Sequence, residues 1–118
     1  MKYTLIVTTD PAKMAQLGPR MQDFQNGFFA LNRELVEKKV YLAGEPLDGP
    51  ETATTVRGRG GRITTVDGPF AETKELVGGV YILECTDKAE ALRWAERMPV
   101  VTLDVGSVEV RPCCVLEE

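Results

Sequence analysis

Val80-Tyr81-Ile82-Leu83-Glu84-Cys85 is a run of aromatic and β-branched residues, the composition typical of a strand. Asp87 follows it, with Glu90 three positions further on, and this capping-box spacing predicts the start of a helix. Apolar and polar residues then alternate over positions 107–111, which predicts another strand. The second half of the chain is therefore predicted to fold as strand, helix and strand.

The first half repeats this order. Residues 3–8 and 40–44 are predicted strands, and Pro19 suits the first turn of a helix between them. That helix carries an apolar stripe at spacings of three and four, formed by Met21, Phe24, Phe28, Leu31 and Leu35. Residues 54–57 and 62–66 flank a glycine-rich turn and predict a hairpin between the two halves.

This element order predicts the fold class. We expect one α+β domain over residues 1–118, in the ferredoxin-like arrangement of one largely antiparallel sheet with both helices on one face. The strands at Tyr3-to-Thr8 and Val80-to-Leu83 carry large apolar groups at both odd and even positions, so both faces of the sheet are apolar. The face without helices therefore also needs a cover. A second copy is the favoured cover, which predicts a homodimer. The alternative is that the loop around Asp48 folds back as a lid.

Composition and charge limit the possible partners. The chain of 118 residues is 43% hydrophobic and 27% charged, the balance of a folded globular domain. Its net charge of −4 argues against nucleic acid and against a membrane surface, because both attract basic proteins. No signal-peptide pattern or membrane-spanning apolar stretch is present in the sequence, so we expect a cytoplasmic protein.

Histidine is absent, and the three cysteines form no disulfide framework. Without imidazole there is no Ser-His or Cys-His nucleophile pair and no histidine base. A zinc site would need cysteines and carboxylates alone. We therefore expect reduced cysteines, no metal and no cofactor.

Several polar residues are candidates for a site. In Asp67-Gly68-Pro69-Phe70, Asp67 either only organises a turn, with Phe70 filling the core, or is a carboxylate poised as acid or base at the mouth of a cleft. In the polar run that follows, Glu72 is a candidate to orient a substrate or act as acid or base, and Lys74 to neutralise an anion. The alternative for this run is a solvated surface.

A strand argument adds three more candidates. Residues two apart on a strand share a face, so Glu109 and Arg111 point away from Val108 and Val110. If the valines meet the helices, the charged pair lies on the other face, either paired structurally or with Arg111 gripping a carboxylate. Glu45 ends the second strand and either faces the same cleft as a candidate acid or base, or lies in water.

Residues 66–75, from Val66-Asp67-Gly68-Pro69-Phe70 to Glu75, together with Gly78-Gly79-Val80-Tyr81, resemble the signature of the DGPF branch of the YCII-related family. Ala43-Gly44-Glu45, the Thr-rich run at 54–57 and residues 106–112 match the same family's pattern. The resemblance implies a dimeric α/β barrel built from two ferredoxin-like protomers.

The resemblance implies little about activity. Some YCII-related proteins are thought to use a His-Asp pair, and one subgroup dehydrochlorinates aromatic substrates, but a chain without histidine cannot inherit that pair. We expect a dimer whose cleft binds a small anionic molecule, with carboxylate-based lyase or isomerase chemistry if it is an enzyme. The alternative is a non-catalytic interaction module, accessory to an extracytoplasmic-function sigma factor, because DGPF proteins are often encoded beside such factors.

Overall fold

In a computed structural model, which describes residues 1–69 and 73–116, six strands and four α-helices follow one another along the described chain, with two short 3-10 helices at Gly18–Arg20 and Pro50–Thr52. They are β1 (Lys2–Thr9), α1 (Pro11–Ala15), α2 (Met21–Glu37), β2 (Tyr41–Pro46), β3 (Thr54–Arg59), β4 (Arg62–Asp67), β5 (Leu76–Glu84), α3 (Lys88–Glu96), α4 (Pro99–Thr102) and β6 (Gly106–Pro112). The predicted α+β class with an antiparallel sheet is confirmed. Among the described residues, no helix is long and apolar enough to cross a membrane.

Four strands form the main sheet in the order β2-β5-β1-β6, and every neighbouring pair is antiparallel. The sheet has β1 and β5 at its centre, since the two strand–helix–strand halves interleave. Strands β3 and β4 do not join it and form a two-stranded sheet of their own. The predicted hairpin is thus present, but as a separate unit.

The core lies on one face of the main sheet, where α2 and α3 pack. Its largest fully buried side chains are Leu5, Leu35, Leu83, Met98 and Val100. Burial of each such side chain stabilises the fold by about 1.5–3 kcal/mol. Because β1, β5, α2 and α4 each contribute to this cluster, both halves of the chain share one core.

Two short helices were not predicted. Asp10 caps α1, accepting hydrogen bonds from Ala12 N at 3.0 Å and Lys13 N at 3.4 Å. Helix α3 ends at Glu96, and Pro99 begins α4 shortly after it. Proline is well tolerated at the first position of a helix, where its missing N–H costs nothing.

The second face of the main sheet, here called the open face, carries no helix of the described chain. Ile6 pairs with Val80 on one side and with Glu109 on the other, so these three side chains form one row across the sheet. Ile6, Val80 and Ile82 are only partly buried. Large apolar groups therefore do lie on both faces, as the sequence indicated.

Strands β3 and β4 form a projecting hairpin, here called the arm. Gly60 and Gly61 have φ values of +57° and +81° at its tip, a conformation that glycine adopts without a steric penalty. At its base, Gly68 N donates to Ala53 O at 2.7 Å, and Thr55 Oγ1 donates to Gly68 O at 2.7 Å. Within the described residues, no other element packs extensively against the arm.

Candidate functional site

A cavity of about 480 Å³ lies between α2 and the part of the main sheet nearest β2. Helix α2 contributes side chains from several successive turns, and β2 and β5 contribute the sheet wall. The lining residues are Val7, Thr9, Met14, Phe24, Gln25, Phe28, Phe29, Asn32, Tyr41, Gly44, Glu45, Pro46, Leu47, Gly78, Gly79, Tyr81 and Val100. A concave, mostly apolar space of this size is typical of a small-molecule site.

Aromatic rings form much of the cavity wall. Phe24 and Phe28 meet edge to face with centroids 5.2 Å apart, and Tyr41 meets Tyr81 in the same way at 6.3 Å. The first pair lies on α2 and the second spans β2 and β5, so rings face the cavity from both layers. Phe29 is 66% exposed, which places an apolar side chain at the solvent side of the wall.

Two tyrosine hydroxyls and one amide supply polar atoms to this wall. Tyr81 Oη donates to Asn32 Oδ1 at 2.5 Å, and Tyr41 Oη donates to Gly44 O at 3.0 Å. Burial raises the pKa of Tyr81 above its usual 10.0, partly offset by the hydrogen bond to Asn32. Tyr81 is therefore a neutral hydrogen-bond donor at neutral pH.

Glu45 belongs to the cavity wall, but its carboxylate points away from it. On β2, Gly44 pairs with Tyr81 and Pro46 with Gly79, whereas Glu45 pairs with Val80. Since Tyr81 faces the helices, strand alternation turns the Glu45 side chain toward the open face. What Glu45 contributes to the cavity is backbone.

Glu109 and Arg111 lie on the open face, as the strand argument predicted. Val108 and Val110 pack against the core, and Arg111 Nε donates to Glu109 Oε2 at 2.5 Å. Both charged side chains are more than half exposed. Glu45 and Glu109 share a row of the sheet, three strand spacings or about 14 Å apart. The open face thus holds three predicted residues, of which Glu109 and Arg111 are paired with each other and Glu45 lies apart from them.

The remaining candidates lie elsewhere. Asp67 ends β4, where it pairs with Thr54 in the arm and is exposed. Lys74 Nζ lies 3.7 Å from Asp10 Oδ2, and the lysine side chain is 79% exposed. Glu72 and Phe70 are outside the described residues. Among the described candidates, the predicted acid–base set does not converge on the cavity.

A family model for the YCII-related domain matches residues 1–115, nearly the whole chain. The chain belongs to the YCII-related family. The DGPF branch remains a prediction from the motif at residues 66–75.

Two known proteins resemble this YCII-related chain. An uncharacterized protein of Rhizobium meliloti is 43% identical over 60 residues, covering 51% of this chain and 48% of that protein. The chain thus matches about half the length of this curated relative. A solved structure of 5-chloro-2-hydroxyhydroquinone dehydrochlorinase from Burkholderia phenoliruptrix, in complex with 2,5-dihydroxybenzoquinone, superimposes with a TM-score of 0.55 at 15% identity. The alignment covers 97% of this chain and 94% of that one, a likeness of fold.

The YCII-related chain contains polar residues that sequence reasoning missed. Asp10 is 3% exposed, the one buried charged residue among those described, and its carboxylate serves the α1 cap and the contact with Lys74. Asn32 was also missed, although one signal was present: it follows Phe28 by four residues, a spacing that places both on one side of α2.

A second missed group lies beside the open face. Ser107 Oγ donates to Glu75 Oε2 at 2.8 Å, and Thr8 Oγ1 lies 2.6 Å from Ser107 Oγ. Thr8 Oγ1 also donates to Glu75 at 3.3 Å. These bonds attach the segment before β5 to the ends of β1 and β6.

Proposed function

We propose that this YCII-related protein binds a small, flat, uncharged ring compound bearing hydroxyl or carbonyl groups, and that the site is the cavity between α2 and the main sheet. The observation that carries the proposal is the wall itself: two pairs of aromatic rings, from opposite layers, around a space of about 480 Å³. Such walls suit ring-shaped ligands, because offset and edge-to-face ring contacts are favourable.

Asn32 gives the cavity a directional polar contact. Its Oδ1 accepts the proton of the Tyr81 hydroxyl, so the amide N–H groups are directed elsewhere. Those two donors suit a hydroxyl or carbonyl oxygen on the ring. Gln25 lies on the same helix as Asn32 and also lines the cavity, so it adds a second amide.

Charge favours an uncharged ligand in this cavity. No lysine or arginine occurs among the described residues that line it, and Glu45 turns its carboxylate to the open face. The small anionic ligand that the sequence predicted, held by Lys74 and Arg111, remains a prediction outside this cavity, and each of these two cations already faces a carboxylate.

The likeness to the dehydrochlorinase supports the ligand class. That enzyme was solved with 2,5-dihydroxybenzoquinone, a flat ring carrying oxygen substituents. If the present protein is also a lyase or an isomerase, its base must reach the cavity from outside the described wall. Glu72 and Asp67 remain the proposed carboxylates for that role, whereas the carboxylate of Glu45, the third candidate from the sequence, faces away from the cavity.

We further propose that the protein is a homodimer in which two main sheets meet through their open faces, as in a dimeric α/β barrel. Ile6, Val80 and Ile82 support this assignment, because they form an apolar centre on a face that lacks helices. An isologous pairing of two copies would bury this centre on both at once.

Saturation-transfer NMR with hydroquinone tests the ligand proposal. The double variant Tyr81→Phe/Asn32→Leu removes both hydrogen-bonding partners, so no buried polar group is left unsatisfied and the fold is retained. We expect hydroquinone to bind the parent and to bind the double variant about tenfold more weakly. Asn26→Leu is the matched control, because Asn26 lies on the same helix, is exposed and bonds Gln22 at 2.9 Å.

Equal hydroquinone binding by the parent and the double variant would exclude Asn32 as the polar contact. Absence of saturation transfer to hydroquinone in the parent, at millimolar probe, would exclude the ligand class. Stronger transfer to benzoate than to hydroquinone would show instead that the protein prefers an anion.

A further inference from the structure

We infer that the arm, β3 with β4, docks on a second copy of this chain and is an interface element of the dimer. The inference rests on the homodimer proposed above and adds a contact that the pairing of two sheet faces does not require. The arm's own structure motivates it, since a two-stranded hairpin standing alone in water is only marginally stable.

The arm is amphipathic. Val56 pairs with Thr65 and Gly58 with Ile63, so Val56 and Ile63 lie on one face of the hairpin. On the opposite face, Arg57 pairs with Thr64 and Arg59 with Arg62. This alternation is the pattern of a strand pair with one covered and one solvated face.

The face that should be covered is bare within one protomer. Val56 is 63% exposed and Ile63 is 80% exposed. The described part of the chain offers no element that packs extensively on them. Exposed β-branched residues on a paired strand surface are typical of a protein contact site.

Charge complementarity points to a second copy as the occupant. Three of the chain's fourteen basic residues, Arg57, Arg59 and Arg62, lie in the arm. The arm also contains one acidic residue, Asp67, and the rest of the chain has eleven basic against seventeen acidic residues, so the arm is the basic element of an acidic protein. The arginines lie on the other face of the arm, and their long side chains would reach past its edge to an acidic body at the rim of the contact.

Symmetry makes the contact reciprocal. Each copy brings one arm that lacks a cover and one open sheet face with an apolar centre. In a two-fold dimer each arm docks on the other copy through the same contact. Neither arm then keeps an uncovered apolar face that could bind a third copy.

The test compares the double variant Val56→Thr/Ile63→Thr with the single variant Val66→Thr. Threonine keeps the strand propensity of both residues, so the arm stays folded. Val66 lies on the arginine face and is 59% exposed, which makes it a matched control for the apolar face. Sedimentation equilibrium over a concentration series gives the dimer dissociation constant.

We expect the double variant to raise the dissociation constant about tenfold or more, and Val66→Thr to change it by less than about twofold. A photoreactive p-benzoylphenylalanine at position 63 should give a covalent dimer, and the same group at position 64 should not. Both variants should bind hydroquinone as the parent does, because neither side chain lines the cavity.

Two outcomes would overturn the inference, and they are separable. If the parent is a dimer and the double variant dissociates like the parent, with no cross-link from position 63, the arm does not dock on the second copy. If the parent is monomeric at all concentrations, the proposed dimer fails and the arm contact with it, while hydroquinone binding remains an independent measurement.

Discussion

The Tyr81 hydroxyl donates a 2.5 Å hydrogen bond to Asn32 Oδ1, joining the centre of β5 to helix α2 at the wall of the cavity. The two residues are 49 positions apart, on opposite layers of the protomer. Because the bond crosses from sheet to helix beside open space, it holds the two walls of the cavity at a defined separation.

Tyr81→Phe should lower stability and change its pH dependence. The substitution leaves the Asn32 carbonyl without its donor, a loss of about 1–2 kcal/mol. Burial holds the pKa of Tyr81 above 10.0, so its contribution is full below about pH 10 and is lost as the pH rises through the folded-state value. The free energy of unfolding, measured with urea from about pH 8 to 11, should therefore fall more steeply with rising pH for the parent than for Tyr81→Phe. Parallel curves would argue against a buried, neutral phenol.

Glu34 should govern part of the acid stability. Its hydrogen bond with Arg97, reinforced by Lys38, lowers its pKa from 4.5 to about 2. A depressed carboxyl pKa stabilises the fold above pH 4.5, and this contribution is lost as the pH falls from about 4.5 to about 2. Glu34→Gln should therefore be less stable than the parent at pH 7 and converge with it near pH 2. Glu37→Gln, at the exposed end of the same helix, is the control and should stay close to the parent throughout.

The thiols should react in an order set by burial. Cys85 is 2% exposed, and burial, followed by the charge of Glu90, raises its pKa to about 11. Cys114 is exposed. With a disulfide reagent at pH 8, Cys114 should react in the native protein and Cys85 only on unfolding. Cys114→Ser should remove the fast phase, whereas a fast phase lost in Cys85→Ser would contradict the assignment.

Asp67→Asn should be mild. Asparagine can replace the aspartate in a turn, so the melting temperature should stay within a few degrees of the parent. Gly68→Ala should be worse, by about 1 kcal/mol or more, because Gly68 has a φ of +114° and makes two hydrogen bonds at the base of the arm. The melting temperatures of the two variants, measured beside the parent, test this order of stability. If Asp67→Asn instead abolishes ligand binding in a folded protein, the Asp67 carboxylate is functional.

Local pattern was enough to predict the regular elements and their faces. The apolar stripe that contains Phe24 and Phe28 predicted α2, and the glycine-rich turn predicted the hairpin. Alternation in β6 placed Glu109 and Arg111 opposite the valines that pack on the core. These periodicities involve residues only a few positions apart, so they can be recognised in the sequence without knowledge of the tertiary structure.

What only the tertiary structure decided was which distant residues meet. Glu45 was predicted either to face the same cleft as Glu109 and Arg111 or to lie in water, and only the register of β2 against β5 shows that its carboxylate turns to the open face. Asn32 and Tyr81 were not predicted to meet, because their contact depends on how α2 lies across the sheet. A one-residue slip in strand register reverses the face of every side chain, and register is set by packing of the whole core rather than by any local pattern.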